Sequence, residues 1–416
     1  MDSLREELLD HFKIFESELR GNILPFWVTN AVRPDHSGFY GEADLTGKPV
    51  AGARQSCVLN SRILWTFSAA ANRYKDPQFE SLADLALKIV LHKFGDPESG
   101  GYYMELEDNC SVANEIKHSY VQAFVLYSLC RYYEFHPAEP VLERIKKLFY
   151  LFEEKCKDPD HPGYREAFTR DWKLYSENRM ADHDEPKSMN THLHVLEAYA
   201  ALYRCWDHGD VKTRLRELIE LFMDKIIRPS GHMGIFFDHD FTEVLSSRSV
   251  CSFGHDIEAS WLLYEACEAL GDGKITGRMK ELSLKMASAV ERDGVEQDGG
   301  LFLESTRYGI HLRTNKHWWI QAENLVGFMN AFQLSGDRKH WDQVKRAWEF
   351  IDRHVIDKHS GEWFTKVNRR GIPYLEEPAD DPSPYYRNDR KIDPWKCPYH
   401  NSRAMMELMD RIKKMT

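Results

Sequence analysis

Gly101-Tyr102-Tyr103 is one copy of a short mark, a glycine followed by aromatic residues, that recurs along the chain. The other copies are Gly38-Phe39-Tyr40, Gly163-Tyr164, Gly234-Ile235-Phe236-Phe237, Gly300-Leu301-Phe302 and Gly361-Glu362-Trp363-Phe364. Successive glycines lie 61 to 71 residues apart. A steady period over a whole chain signals a repeat architecture. The glycines are expected to supply backbone freedom in short hairpins or turns.

Working outward from each mark, helical patterns come in pairs. One set has a charged face: roughly 3–20, 78–93, 139–156, 211–227, 275–291 and 338–355. Residues 211–227, VKTRLRELIELFMDKII, show the i, i+3, i+4 apolar spacing of a helix with one wet side. The other set is apolar nearly all round: roughly 57–71, 117–134, 188–206, 253–270, 317–334 and 397–413. Residues 260–270, SWLLYEACEAL, are typical, and such helices belong in an interior. The order is constant: amphipathic helix, mark, buried helix. Closing six inner helices into a ring, covered by six outer ones, buries every apolar face. The reading is all-α, an (α/α)6 barrel formed by residues 1–416 as one unit. An open α-solenoid ranks below it, because solenoid repeats are usually about 20–50 residues long.

Bulk properties narrow the class of function. The chain has 416 residues, 42% hydrophobic and 12% aromatic, enough for a large core. A net charge of -11 argues against nucleic acid or an anionic membrane surface as partner. No apolar run reaches the roughly 18 residues that span a membrane. The start, Met1-Asp2-Ser3-Leu4-Arg5-Glu6-Glu7, has no apolar leader core. The eight cysteines include no C-x-x-C pair and read as reduced, mostly buried thiols. A cytoplasmic protein is expected, monomeric or weakly dimeric.

In such a barrel the long connections precede the inner helices, so those helix starts line one mouth. Polar residues cluster in these first turns: Arg62, His118, Tyr120, Asn190, His194, His255, Glu258, Glu323, His400 and Arg403, with Trp318 and Trp319 beside them. Asn190/His194 and Trp319/Glu323 are i, i+4 pairs and His255/Glu258 is an i, i+3 pair, so partners share a face. Arg62 reads equally as an ion-pair partner or a substrate ligand. Trp318 and Trp319 diverge by about 100°, so at most one meets a ligand. His192 and His194 diverge by about 200° and do not share an ion easily. Asp182-His183-Asp184-Glu185 reads as a solvated connection. Asp256 reads as a charge favouring its helix N-terminus. No metal is expected. There is no Walker loop and no G-x-G-x-x-G in a βαβ setting, so no cofactor is indicated.

Four segments carry a further signal. They are Lys187-Ser188-Met189-Asn190-Thr191-His192-Leu193-His194, Ser252-Phe253-Gly254-His255-Asp256-Ile257-Glu258-Ala259-Ser260-Trp261, Trp318-Trp319-Ile320-Gln321-Ala322-Glu323 and Trp395-Lys396-Cys397-Pro398-Tyr399-His400-Asn401-Ser402-Arg403. In this order, over the whole chain, they resemble the cellobiose 2-epimerases of the N-acylglucosamine 2-epimerase superfamily. The resemblance implies the same (α/α)6 barrel. It implies reversible epimerisation at C2 of the reducing-end glucose of a β-1,4-linked disaccharide substrate, with some aldose–ketose isomerisation in relatives. Its functional positions match Arg62, Asn190, His194, His255, Glu258, Trp319, Glu323, Trp395 and His400.

On that basis His255 and His400 are expected to be the acid/base pair, with His194 and Arg62 holding the enediolate oxygens. Tyr120 and Asn190 are expected to bind substrate, and Glu258 to orient His255 or His400. Glu323 is expected at the substrate too. Trp395 is expected to stack on the second sugar and Trp319 near the reacting one, with the tyrosines of the 365–396 connection giving room. The alternatives are an N-acylglucosamine 2-epimerase, a monosaccharide ketol-isomerase and an (α/α)6 glycoside hydrolase. A non-catalytic binding module ranks last.

Overall fold

The computed structural model describes residues 2–175, 184–306, 311–376 and 387–416. Its helices are α1 (Asp2–Glu18), α2 (Leu24–Asn30), α3 (Cys57–Tyr74), α4 (Pro77–Ile89), α5 (Ser119–Phe135), α6 (Glu139–Lys155) and α7 (Met189–Cys205). They continue with α8 (Gly209–Leu221), α9 (Phe253–Leu270), α10 (Gly273–Asp293), α11 (Trp318–Ser335), α12 (Arg338–Phe350) and α13 (Tyr399–Met415). The ring is closed: α3, α5, α7, α9, α11 and α13 each pack on the next, and α13 packs on α3. Outside them, α4, α6, α8, α10 and α12 pack on the inner helices that precede them, and α1 packs on α13. This is the (α/α)6 barrel read from the repeat.

Local chemistry explains the alternation. The inner helices bury residues on every side, α3 from Cys57 through Ala71 without a break. The outer helices bury only one stripe; in α6 it is Val141, Ile145, Leu148, Phe149 and Phe152. Side chains cap the helix starts: Ser56 accepts from Leu59 N, Ser188 from Thr191 N, Asp76 from Gln78 N and Asp337 from Lys339 N. Left-handed residues end three inner helices, at Lys75, Gly271 and Gly336.

Each mark forms a short hairpin. Phe39, Tyr102, Tyr164, Met233, Leu301 and Trp363 bridge back to Val32, Gly95, Lys157, Ile227, Val295 and Ile356, at the ends of the outer helices. The reason for glycine differs between marks. Gly101, Gly163 and Gly361 take positive φ, whereas Gly38, Gly234 and Gly300 do not. At Gly300 the requirement is space, since a Cβ would lie 2.7 Å from Lys316 Nζ.

A belt of short sheets, two- or three-stranded among the described residues, sews the mouth together. The segment entering each inner helix pairs antiparallel with the next repeat: Gln55–Ser56 with Glu105–Leu106, Lys117–His118 with Ala167–Phe168, and Lys187–Ser188 with Phe236–Phe237. Cys251–Ser252 pairs with Glu304–Thr306 and Lys316–His317 with Lys366–Val367, and Arg390–Ile392 returns to Ala43–Asp44. Ion pairs made by four buried lysines pin this belt to the hairpins: Lys117–Asp96 at 3.0 Å, Lys187–Asp158 at 2.9 Å, Lys316–Asp298 at 2.7 Å and Lys391–Asp357 at 3.0 Å.

The first outer helix is longer than the sequence suggests. Gly21, Asn22 and Pro25 look like a stop, yet the chain widens into a π-turn over Leu19–Ile23 and continues to Asn30. A wider turn leaves room where the proline ring would otherwise strike the preceding carbonyl. Similar π-turns end α4, α8 and α12. Five cysteines are buried, Cys205 and Cys251 are half-buried and Cys110 is exposed; all are free. Among the described residues no helix is long and apolar enough to cross a membrane.

Candidate active site

The starts of the inner helices bring most of the expected residues together in one network. Helix N-termini add positive potential to a shared mouth. On one side, Arg62 of α3 donates from Nη2 to Tyr120 Oη at 2.9 Å, and its guanidinium lies 4.3 Å from the Phe124 ring. The Tyr120 ring meets His194 edge-on at 5.1 Å and Trp395 at 5.8 Å. On the other side, Trp319 lies between two histidines, its ring 4.8 Å from His255 and 5.6 Å from His400.

Arg403 of α13 joins the two sides. Its Nη1 donates to Glu197 and its Nη2 to Glu258 at 2.8 Å and Glu323 at 2.6 Å. Glu197 in turn meets His194 Nδ1 at 2.9 Å and accepts from Tyr399 Oη at 2.7 Å. Glu323 meets His400 Nδ1 at 2.7 Å and accepts from Trp261 Nε1 at 3.0 Å. Two histidine–carboxylate dyads therefore hang from one guanidinium. A carboxylate facing Nδ1 fixes the proton there and leaves Nε2 as a lone pair for a substrate.

Electrostatics follow from this geometry. Burial raises the Glu197 carboxyl, but Arg403 and His194 outweigh it and hold the group down at about 2. Burial, then the Glu323 charge, pushes Glu258 up. Burial also pushes Glu323 up against the pull of Arg403. Two carboxyls on one guanidinium nitrogen do not both ionise freely. Burial lowers the proton affinity of His194, His255 and His400, with Arg62 and Arg403 adding to it at His194 and His400. All three histidines are thus biased toward neutral imidazole.

Several expectations change in detail. Glu323, rather than Glu258, is the close partner of His400; Glu258 stands 3.9 Å from that nitrogen. Glu323 and Glu258 are buried at 0% and 1% exposure and bonded to Arg403. Both carboxyls are engaged by Arg403, and that of Glu323 also by His400. His255 has neither as hydrogen-bond partner; its Nδ1 lies 2.7 Å from Ser252 Oγ. Asn190, one turn before His194, is half-buried, and among the described residues its Oδ1 has no hydrogen-bond partner.

Other polar residues prove structural. His118 caps α5 by accepting from Tyr120 N at 3.1 Å. His192 lies away from His194, between Ser188 O at 2.7 Å and Tyr164 N at 2.9 Å. Asp256 holds His232 Nδ1 at 2.7 Å and Met233 N at 2.8 Å. Trp318 packs on Lys396 rather than on the histidines. Asp182, His183 and the tyrosines 385 and 386 lie outside the described residues.

Sequence reasoning missed Glu197, Tyr399 and Ser252. The i, i+3 spacing of His194 and Glu197 was the available signal for the first. Among the described residues, Glu258, Glu323 and His400 bring one donor atom each within 4.8 Å of one another. The Arg403 guanidinium already bridges the two carboxylates, so a cation is supplied by the chain itself. Because both carboxyls converge on one nitrogen, they do not flank an open gap. A glycosidase pair needs roughly 5–10 Å between its carboxyls, with the scissile bond between them.

Comparison with known proteins agrees with the fold. The model of the family described as N-acylglucosamine 2-epimerase matches residues 38–387. A curated cellobiose 2-epimerase from Bacteroides fragilis is 36% identical over 95% of this chain and 97% of its own length. The solved structure of a sugar epimerase from a ruminal bacterium has a TM-score of 0.88 at 32% identity, covering 96% of this chain and 99% of that one. The solved structure of cellobiose 2-epimerase from Bacillus thermoamylovorans has a TM-score of 0.86 at 31% identity, covering 99% and 100%.

Proposed function

The chain belongs to the N-acylglucosamine 2-epimerase family, and from that premise we propose that it inverts C2 of the reducing-end glucose of a β-1,4-linked disaccharide. Cellobiose becomes glucosyl-mannose and lactose becomes epilactose. Residues 1–416 act as one catalytic unit, monomeric or weakly dimeric, in the cytoplasm. The observation that carries the reading is the set of three histidines at one mouth, two of them backed by carboxylates tied to one arginine.

The chemistry suits those groups. A reducing sugar must first be opened, and its C2 proton then lies α to an aldehyde. Removing that proton leaves an enediolate. His400, with Nδ1 engaged by Glu323, offers Nε2 as the base that takes the proton. His255 gives a proton to C2 on the opposite face and regains one from the His400 imidazolium through solvent, so the planar intermediate is inverted and both histidines end neutral. Arg62 faces the negative charge that develops on the oxygens, where a preorganised donor acts most strongly, and His194, with a lone pair on Nε2, accepts from a hydroxyl of the opening sugar. Tyr120 and Asn190 position the reacting sugar beside Trp319, and Trp395 stacks on the second one. Reprotonation at C1 instead of C2 yields the ketose, a side reaction of the same intermediate.

The direct test is proton NMR of cellobiose with the enzyme in D2O. Loss of the C2 proton signal together with appearance of glucosyl-mannose is expected. Release of free glucose, or product without solvent exchange, overturns the reading.

The lowered histidines give a pH signature. A histidine ordinarily titrates near 6.5, and His194, His255 and His400 all lie below that value. Neutral base forms therefore persist below pH 6.5. The acid limb of kcat/KM is expected below pH 6.5; a limb above it contradicts the burial argument.

A further inference from the structure

The three histidines of the mouth are not held alike. His194 and His400 each place Nδ1 against a carboxylate, at 2.9 and 2.7 Å. His255 places Nδ1 2.7 Å from the hydroxyl of Ser252. A carboxylate only accepts, whereas a hydroxyl gives or takes.

Ser252 is also odd as a helix cap. It stands at the start of α9 in extended conformation, yet its side chain accepts from no backbone N–H of the helix. Ser56 and Ser188 occupy the same position before α3 and α7, and both cap in the ordinary way, from Leu59 N and Thr191 N. A capping bond is worth about 1 kcal/mol, so its absence here marks a different use. Ser252 is 7% exposed. Among the described residues its Oγ meets no hydrogen-bond partner but His255. A buried hydroxyl proton needs an acceptor, and Nδ1 is the one in reach.

We propose that Ser252 is a positioning residue for His255: its hydroxyl donates to Nδ1, holds the ring, and leaves the neutral imidazole's proton on Nε2. This reverses the arrangement in His194 and His400. The mouth then holds an N–H donor opposite two lone-pair nitrogens. Inversion at one carbon calls for that asymmetry: as Nε2 gives its proton to C2, Nδ1 takes the Ser252 hydroxyl proton, so no imidazolate is left, and the proton taken up by His400 returns through water to the Ser252 oxygen. The groups facing His255 are His194 of α7 and Glu323 of α11, with Trp319 stacked beside it. Glu304, opposite Ser252 on the paired strand, is engaged by Arg313 at 3.1 Å. The catalytic consequence rests on the epimerase reading; the tautomer does not.

The test combines nitrogen-15 NMR of histidine-labelled protein with kinetics of Ser252→Ala, Ser252→Thr and Ser252→Asp. The His255 signal is identified by its loss in His255→Asn. The proton is expected on Nε2 in the parent and in Ser252→Thr, and on Nδ1 in Ser252→Asp, where a carboxylate forces it there. Ser252→Ala and Ser252→Asp are expected to lower kcat by about 10²-fold with little change in KM, and Ser252→Thr to restore most of it. Aspartate is a good helix cap. If the role were capping alone, Ser252→Asp would keep kcat and thermal stability; that outcome overturns the proposal. So does a parent protein with its proton on Nδ1. If the parent does not epimerise disaccharides, the functional reading fails, and the NMR result alone decides the role of Ser252.

Discussion

His400→Asn abolishes epimerisation while leaving substrate binding nearly intact: kcat is expected to fall by about 10²–10⁴-fold and KM to stay within a few-fold. Asparagine can still reach Glu323, so the dyad keeps its geometry, but it has no titratable nitrogen for the C2 proton. His255→Asn is expected to abolish product formation for a different reason. His400 remains able to take the proton and return it to the same face. In D2O that variant should therefore exchange the C2 proton of cellobiose without making glucosyl-mannose, whereas His400→Asn should do neither. The two variants thus separate removal from return. Near-normal epimerisation by either one sinks the two-histidine assignment, and exchange persisting in His400→Asn reverses the roles.

Arg403→Ala carries the largest expected cost in stability. The guanidinium is buried and touches Glu197, Glu258, Glu323 and Tyr399. Removing one partner of a buried pair typically costs about 3–5 kcal/mol, because the other charge is left uncompensated. The pH dependence has a definite sign. In the parent, Glu197 is held down at about 2, below its ordinary value of 4.5. Its contribution is present above pH 4.5 and is lost as pH falls toward 2. Without Arg403, burial pushes Glu258 and Glu323 further up, and Glu197 keeps only His194 and Tyr399 to oppose it. The folded variant then binds protons that the unfolded chain does not, so it loses stability as pH rises above 4.5. The gap between parent and variant should accordingly be wide at pH 7.5 and narrow at pH 4.5, as read by denaturant unfolding. Arg403→Lys should not close it, since one ammonium does not span both sides of the network as a fork does. Equal stability at pH 7.5 contradicts the argument.

Much of this was legible in the chain, for physical reasons that differ by element. The inner helices are apolar all round, and the residue range 253–270 read from the sequence is the helix observed, Phe253–Leu270. Register then placed the histidines of different repeats at one mouth, because equivalent helix starts occupy equivalent positions in a closed ring. Partners were less legible. His400 and Glu323 lie 77 residues apart, and Arg403 and Glu197 lie 206 apart; nothing local announces either contact. Glu197 hid in a helix that is otherwise core. The extension of the first outer helix to Asn30 was obscured because a π-turn reconciles Gly21 and Pro25 with helix, contrary to their usual meaning. His118, noted among the polar residues of the first turns, caps its own helix, and Asp256, read as a charge at a helix N-terminus, holds His232 and Met233 N.

The position of Arg403 on the last inner helix sets an order of events. Three acids from α7, α9 and α11 must leave water to form the interior, and their counter-ion comes from α13. Until that helix docks between α11 and α3, dehydrating those acids is opposed. The gap is also bridged by contacts remote in sequence, which form slowly. Docking of α13 closes the ring, brings the acids their counter-ion and carries His400 with it. An unfinished ring is therefore wet at its centre and lacks its base, so catalytic competence and topological closure arrive together.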